Sequence, residues 1–498
     1  MNLAARFSLR SCFSRCAWAV VAGLLACATA RAQASSNEVA ELRDQVRELT
    51  ALVGSLEARV TTLERRNAAM EAGSEGDGAT LMAATATLRR ASAGAVSDYA
   101  GPVRAVQAQG AEATGQATAP VQASLPLPSL LPGGATLNYY FDGYFENNFN
   151  NPTGRVNDLR AYDVLSRTFS INQADVIFAL DPDVSAKRRY GMRVDLQFGQ
   201  ATETLQGNPT NEQRPEIYRN IFQAYGTYIA PLGKGLQIDF GKWASSLGIE
   251  GNYAKDQLNY TRSYYFNFLP FYHQGMRLHY NFNDKIGVNY WLVNGTNQSE
   301  PSNGYRDELF GVVAQPKKNV SWTFNYYLGQ EHPDAQAGTN CTVPVQPGLC
   351  YQPIANEPNG KLHIFDSYVT WNATPKLTFS GEGDYVIQRT YAESAPQHVE
   401  GGAGYAQYQL TPRASFAARA EYLSDRGGMF SNATQALKEG TATYRYNVSD
   451  WMSVFLEYRR DWTNIPYFVT SNPAAPATHQ DTLGAGVVWW YGGKQGAW

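Results

Sequence analysis

Charge, cysteine and histidine are all scarce in this chain, and each scarcity removes a class of function. Charged residues are 17% of the 498, and 41 basic against 44 acidic side chains give a formal net charge of −3. With no basic excess to hold a polyanion, no nucleic-acid partner is expected. No apolar run of about 18 residues follows the N-terminal region, so no helix is expected to span a bilayer. The histidines His273, His279, His332, His363, His398 and His479 fall in no HExxH pattern, and neither a GxSxG elbow nor a phosphate-binding loop occurs. A hydrolase would need a nucleophile, a base and an orienting partner, and nothing in the sequence marks such a set. The chain is therefore not expected to be an enzyme. Of five cysteines, Cys341 and Cys350 alone lie beyond the N-terminal segment, and two thiolates without a nearby histidine cannot complete a tetrahedral metal site. No metal and no cofactor are expected.

The first 134 residues hold three different compositions. Residues 1–32 read as a secretory signal: Arg6, Arg10 and Arg15, then the apolar stretch from Ala17 to Ala28, then Ala30-Arg31-Ala32 as a small-x-small cleavage site. Leu24-Leu25-Ala26-Cys27 loosely fits a lipoprotein signal as the rival reading. Export to an oxidising compartment would let Cys341 and Cys350, nine apart in a Pro/Gly-rich loop, close a disulfide. Residues 37–71 carry Val39, Val46, Val53 and Val60 alternating with Leu42, Leu49, Leu56 and Leu63, a heptad with Val at a and Leu at d. The narrow seam predicts a short periplasmic coiled-coil helix and a homo-oligomer. Val at a with Leu at d favours two strands, though dimer and trimer both stay open. Residues 72–134, rich in Ala, Gly, Ser, Gln and Pro, read as a low-complexity linker.

What is abundant lies in residues 135–498: aromatic residues, glycine and a period of two. Tyr190, Met192, Val194, Leu196 and Phe198 alternate with Arg193, Asp195 and Gln197; Leu377, Phe379 and Tyr385 share a phase opposite to Glu382 and Asp384. Such alternation puts one set of side chains on each face of a sheet. Seven short connections (181–188, 231–235, 283–285, 315–319, 373–375, 411–412 and 448–450) alternate with longer polar ones (150–165, 201–216, 244–272, 295–304, 331–360, 390–397, 425–432 and 461–478). That rhythm predicts an all-β, transmembrane antiparallel β-barrel of about sixteen strands, with periplasmic turns and external loops. A barrel that wide cannot be plugged by its own wall side chains, so its apolar face should meet lipid and its polar face water. Tyr228, Tyr280, Phe282, Trp371, Trp451, Trp489, Trp490 and Tyr491 sit near predicted strand ends as candidate interfacial girdles. The polar phase supplies candidate pore-lining residues: Asp175, Arg193, Asp195, Arg219, Asp239, Arg277, Glu382, Asp384, Arg413, Arg419, Glu421, Glu439, Arg445, Glu457 and Arg459. Mixed signs along a narrow lumen sort solutes by size and charge, although many of these groups are expected simply to pair across strands. His279, beside Arg277, reads as a wall residue rather than a base.

The connection from Ala244 to Tyr272 reads ASSLGIEGNYAKDQLNYTRSYYFNFLPFY, too aromatic and apolar for a freely solvated loop. GKWASSLGIEG with NYTRSYYFNFLPFYHQGMRLHY, the opening YYFDGYFENNFN and the closing LGAGVVWWYG resemble the OmpL-like β-barrel porin family, over roughly Thr136 to Trp498. The resemblance implies an outer-membrane barrel with pore activity and carries no ligand with it. In porins the third external loop folds inward and narrows the barrel. On that model Glu250, Lys255, Asp256, Arg262 and His273 are constriction candidates, with Arg413, Arg419 and Arg459 facing them; an ordinary external loop with solvated charges is the alternative. Gly492, Gly493, Lys494 and Gln495 interrupt the run before Trp498, so the last strand should finish near Tyr491. The expected function is passive diffusion of small hydrophilic solutes or ions across the outer membrane, with outer-membrane lipid as partner. The alternatives are a barrel anchor whose heptads reach toward peptidoglycan, and an outer-membrane enzyme.

Overall fold

The computed structural model describes residues 125–126, 134–205, 215–337 and 351–492. The signal segment 1–32, the heptads of 37–71, nearly all of the linker 72–134, the Cys341–Cys350 pair and Gly493 to Trp498 lie outside the described residues.

The period-two segments are strands: β1 Ala135–Asn148, β2 Phe169–Leu180, β3 Tyr190–Phe198, β4 Ile221–Ala230, β5 Leu236–Ala244, β6 Tyr272–Asn283, β7 Ile286–Val293 and β8 Asp307–Lys317. The second half continues with β9 Val320–Gly329, β10 Leu362–Thr374, β11 Leu377–Gln388, β12 Gln397–Thr411, β13 Ala414–Arg426, β14 Gln435–Ser449, β15 Met452–Thr463 and β16 His479–Tyr491. Each pairs antiparallel with its neighbours in the chain, and β16 pairs with β1 from Thr482↔Asn148 to Tyr491↔Tyr139, which closes the sheet. The sixteen strands thus leave no free edge; the two-residue stretch Leu125–Pro126 adds a short pairing against β1, and Ala335–Ala337 with Tyr351–Pro353 makes a separate hairpin in the fifth long loop. Among the described residues no helix is long and apolar enough to cross a bilayer. Closure satisfies every wall strand through its neighbours, as lipid-embedded backbone requires.

Burial runs opposite to that of a soluble barrel. On β3, Tyr190 and Phe198 are 58% and 48% exposed, while Arg193 and Asp195 between them are 4% and 0%. The outward phase carries Phe145, Phe169, Ile171, Phe240, Phe310, Phe379, Tyr385, Phe416 and Leu456; the inward phase carries Asp142, Glu146, Asn325, Asp366, Glu439 and Glu457. The expected girdle residues Tyr228, Phe282, Trp371, Trp451 and Trp489 are exposed on the outside, and Trp451 stacks on Tyr491 at 5.5 Å. Trp490 departs from the girdle expectation: it falls in the inward phase and packs against the apolar cluster that includes Tyr140 and Val488.

One place on the wall needs glycine. Gly241 of β5 pairs with Gly275 of β6, both at positive φ (136° and 159°), and a Cβ on either would meet a carbonyl oxygen of the next strand (Ala224 or Leu292) at 2.2 Å. No larger residue fits so close a backbone approach. It lies just before the chain leaves β5 for the third loop.

Candidate functional site: the lumen and its third loop

Residues 245–271, here L3, fold into the barrel. They leave β5 with Ser245 Oγ 3.0 Å from His273 Nε2, and their aromatic side chains Tyr253, Tyr260, Tyr264, Tyr265, Phe266, Phe268 and Phe271 are all buried. A short helix, Tyr264–Phe268, is capped by Ser263, whose Oγ accepts from the Phe266 amide at 2.8 Å. The cap satisfies one free amide at the helix start, and wall acids satisfy others.

The wall supplies partners on opposite sides of the loop. Glu421 of β13 accepts from the amides of Tyr264 and Tyr265, each at 2.9 Å. Glu457 of β15 does the same for Tyr260 (2.6 Å) and Thr261 (2.9 Å). Arg419 donates to the Thr261 carbonyl at 2.8 Å and to Glu250 at 2.7 Å, and its Nε reaches Glu439 at 2.7 Å. Arg445 donates to the Lys255 carbonyl at 2.7 Å, and Arg459 to the Arg262 carbonyl. Across the lumen, Asn252 bonds Tyr162 and Gln173 (2.6 Å each) and Gln197 (2.8 Å), while Tyr260 donates to Asp142 at 2.6 Å. Ile249 N donates to Glu382 of β11 at 3.1 Å. L3 therefore touches β1 to β3 on one side and β11 to β15 on the other, and so spans the barrel. Charge-assisted bonds of this kind are the stronger ones, and a buried amide without an acceptor costs about 1–3 kcal/mol. Burial pushes the phenols of Tyr253, Tyr260, Tyr264 and Tyr265 well above their ordinary value, so they remain donors at any physiological pH.

The first long loop, residues 149–168, also reaches inward. Arg160 pairs with Asp163 and, at 2.7 Å, with Asp461 of β15. Burial works against its charge, but Asp461 and Asp163 outweigh that and hold the guanidinium ionised. Asp158 accepts from the Val469 amide at 2.7 Å and so ties this loop to the last one; burial pushes its carboxyl up to about 6.

The sequence-derived candidates divide into three groups. Asp175, Arg193, Asp195, Asp239, Arg277, Glu382, Asp384, Arg419, Glu421, Glu439, Glu457 and Arg459 are buried on the inner face, and Arg445 is half-buried there. Many are engaged with each other or with L3: Arg193 with Asp195 (2.7 Å), Arg277 with Asp239 (2.6 Å), Arg459 with Asp461 (2.8 Å). Arg219 and Arg413 are not wall residues. Arg219 follows the one-turn helix Pro215–Tyr218 in the second long loop and pairs with Glu203 and Glu216, and Arg413 is exposed in the turn between β12 and β13. The period-two count had run past the strand ends at both places. Among the L3 candidates, Glu250 binds Arg419, and Lys255 pairs with Asp256 at 2.6 Å. Arg262 braces the loop itself, donating to the carbonyls of Gly251 (2.9 Å), Tyr260 (2.5 Å) and Asn252 (3.1 Å). His273 lies on β6, not in the loop, and packs against Trp291 and Tyr327. Reasoning from sequence missed Asp142, Glu146 and Asp366, whose phase opposite to outward Phe145 and Phe365 was the available signal. It also missed Arg160 and Asp163, for which a loop sequence gives none.

A closed barrel, apolar outside, polar inside and crossed by its third loop, is the architecture of an outer-membrane porin. The chain belongs to the family described as "Putative beta-barrel porin-2, OmpL-like", whose model matches residues 134–489. No curated protein matches it in sequence. Solved structures it resembles include an anion-selective porin from Comamonas acidovorans (7% identity, 72% of this chain and 99% of that one, TM-score 0.47). Two others are the outer membrane channel DcaP of Acinetobacter baumannii (9%, 74% and 100%, 0.46) and OmpT of Vibrio cholerae (10%, 73% and 99%, 0.43).

Proposed function

We propose that this outer-membrane barrel is a passive channel for small hydrophilic solutes or ions, narrowed by L3. The observation that carries the reading is the polar inner face: it lies behind an apolar exterior, in a family of porins, with a loop braced across the lumen by side chains of both signs. The charged L3 groups that keep contact with water are then Lys255 and Asp256, while Glu250 and the wall groups Arg419, Glu439 and Arg459 are buried and act on the passage only through their field. Opposite charges there largely neutralise one another (Arg419 with Glu250 and Glu439, Arg459 with Asp461). A small fixed field along the passage supports weak ion selectivity. A catalytic role has little support. The Ser245–His273 contact is fully buried, and His273 Nδ1 is held at 3.0 Å by the Gly295 carbonyl rather than by a carboxylate.

Single-channel recording in a planar bilayer under a salt gradient tests this. Stable ohmic steps of modest size, with a reversal potential well short of the Nernst limit, are expected. A silent barrel would sink the channel reading in favour of an anchor, and a near-Nernst potential would sink weak selectivity. The heptads of 37–71 support a second, compatible role: self-association as dimer or trimer, with a reach of about 50 Å toward peptidoglycan at 1.5 Å per residue. Cross-linking the full chain against one lacking 37–71 tests that role.

A further inference from the structure

Three wall acids beneath the start of L3 lack the partners that their neighbours have. Asp366 of β10 and Asp384 of β11 face each other directly in register, and Glu382 lies on the same inner face of β11 two residues away. One carboxylate oxygen from each falls within 4.8 Å of the others, and the residues are 0%, 5% and 7% exposed. Among the described residues none of the three is in an ion pair, whereas Glu250, Glu439 and Asp461 each have an arginine.

Their hydrogen bonds are few. Asp366 Oδ2 accepts from Asn325 Nδ2 at 2.7 Å, and the Gly248 amide also bonds to Asp366. Glu382 Oε1 accepts from the Ile249 amide. Asp366 Oδ1, Glu382 Oε2 and both oxygens of Asp384 are buried with no donor, and the neighbour offered to Asp384 is the Asp366 carboxylate itself. On the far side Asp384 pairs in register with Gly401, which has no side chain to offer.

Three carboxylates this close must be neutralised by protons or by a cation. One proton shared between Asp366 and Asp384 would still leave Glu382 Oε2 and an Asp384 oxygen unpaired. A cation held by one oxygen of each carboxylate would offset the charge of all three. The donor set is oxygen only, with no imidazole or thiolate, which suits a hard ion. Ca²⁺ accepts oxygen ligands in irregular geometry at about 2.3–2.6 Å, whereas Mg²⁺ demands a near-ideal octahedron at about 2.1 Å and keeps several of its waters, so three carboxylates converging from two strands in a buried place suit Ca²⁺ better.

We propose that Asp366, Glu382 and Asp384 form a Ca²⁺ site that ties β10 and β11 to the first segment of L3, Ser246 to Glu250. The site is independent of whether solutes pass through the barrel, so it is tested by binding rather than by conductance. The full chain, refolded in detergent without lipopolysaccharide and stripped with EDTA, is titrated with Ca²⁺ by calorimetry and with Tb³⁺ by luminescence sensitised by nearby tyrosines. One saturable site per chain is expected, with an unfolding temperature that rises with Ca²⁺ concentration. Asp384→Asn and Asp366→Asn should each weaken binding at least tenfold, while Asp450→Asn, in an exposed turn, should leave it unchanged. Heat-modifiable migration checks that each variant is folded. Should the aspartate variants fail to insert, Glu382→Gln with the wild-type titration takes their place. Absence of saturable Ca²⁺ and Tb³⁺ binding in the wild type overturns the proposal, as does undiminished binding in a folded variant. A shared proton only would appear as no binding together with a more stable Asp384→Asn protein, and also overturns it.

Discussion

L3 and the sixth long loop, residues 389–396, leave the same rim and meet opposite fates. The sixth loop is mostly exposed and bonds chiefly to itself: Tyr391 N donates to Ser394 Oγ at 3.0 Å, and Ser394 Oγ donates back to the Tyr391 carbonyl at 2.9 Å. L3 has the longer chain and the greater need, with seven buried aromatic rings and amides that local turns do not satisfy. Its needs are met by the wall. Glu421 and Glu457 each accept two loop amides, and Arg419, Arg445 and Arg459 donate to loop carbonyls. The difference teaches that a loop enters a barrel when the wall offers acceptors and donors in register with it; apolar content alone would leave polar backbone unpaired.

The sharpest way to break this comparison is to remove the buried part of L3. Replacing 252–267 by a short Gly/Ser linker should raise single-channel conductance severalfold, whereas the same operation on the sixth loop should leave it unchanged. A smaller effect follows from withdrawing one wall clamp. Glu421→Ala strands the Tyr264 and Tyr265 amides, and a loss of about 2–6 kcal/mol is expected from two unsatisfied buried donors. It should show as a lower unfolding temperature and noisier current, and a variant as quiet and stable as the parent would remove the clamp argument.

Smaller again is the contact between the first and last loops through Asp158. Burial raises this carboxyl from 3.8 to about 6. The docked state therefore holds the proton more tightly than the undocked one, so the contribution is complete below about pH 4 and is lost as pH rises through 6. Hydrogen exchange across 464–478, corrected for intrinsic rates, should be faster at pH 7.5 than at pH 4.5, and Asp158→Asn should abolish the difference. Least of all, Glu393→Ala on the exposed sixth loop should shift stability by under about 0.5 kcal/mol in the same melting assay.

Much of the fold was legible because a β-barrel writes itself locally. Alternation in Tyr190–Phe198 or Leu377–Tyr385 and the rhythm of short and long connections both come from chain neighbours, and they gave sixteen strands and an inverted burial pattern. The same local rule misplaced Arg219 and Arg413, since period two does not say where a strand stops. It identified Glu382 and Asp384 as inward residues without saying that Asp366, on another strand, would stand beside them.

By itself, the sequence determined which face of each strand is apolar, the approximate number of strands and which loop is too aromatic to stay in water, because each depends on residues within reach along the chain. Only the tertiary structure decided what the inward charges do. Arg419 is 169 residues from Glu250 and Arg160 is 301 from Asp461. Pairings at that separation are fixed by barrel closure and by the path of L3, and no periodicity encodes them.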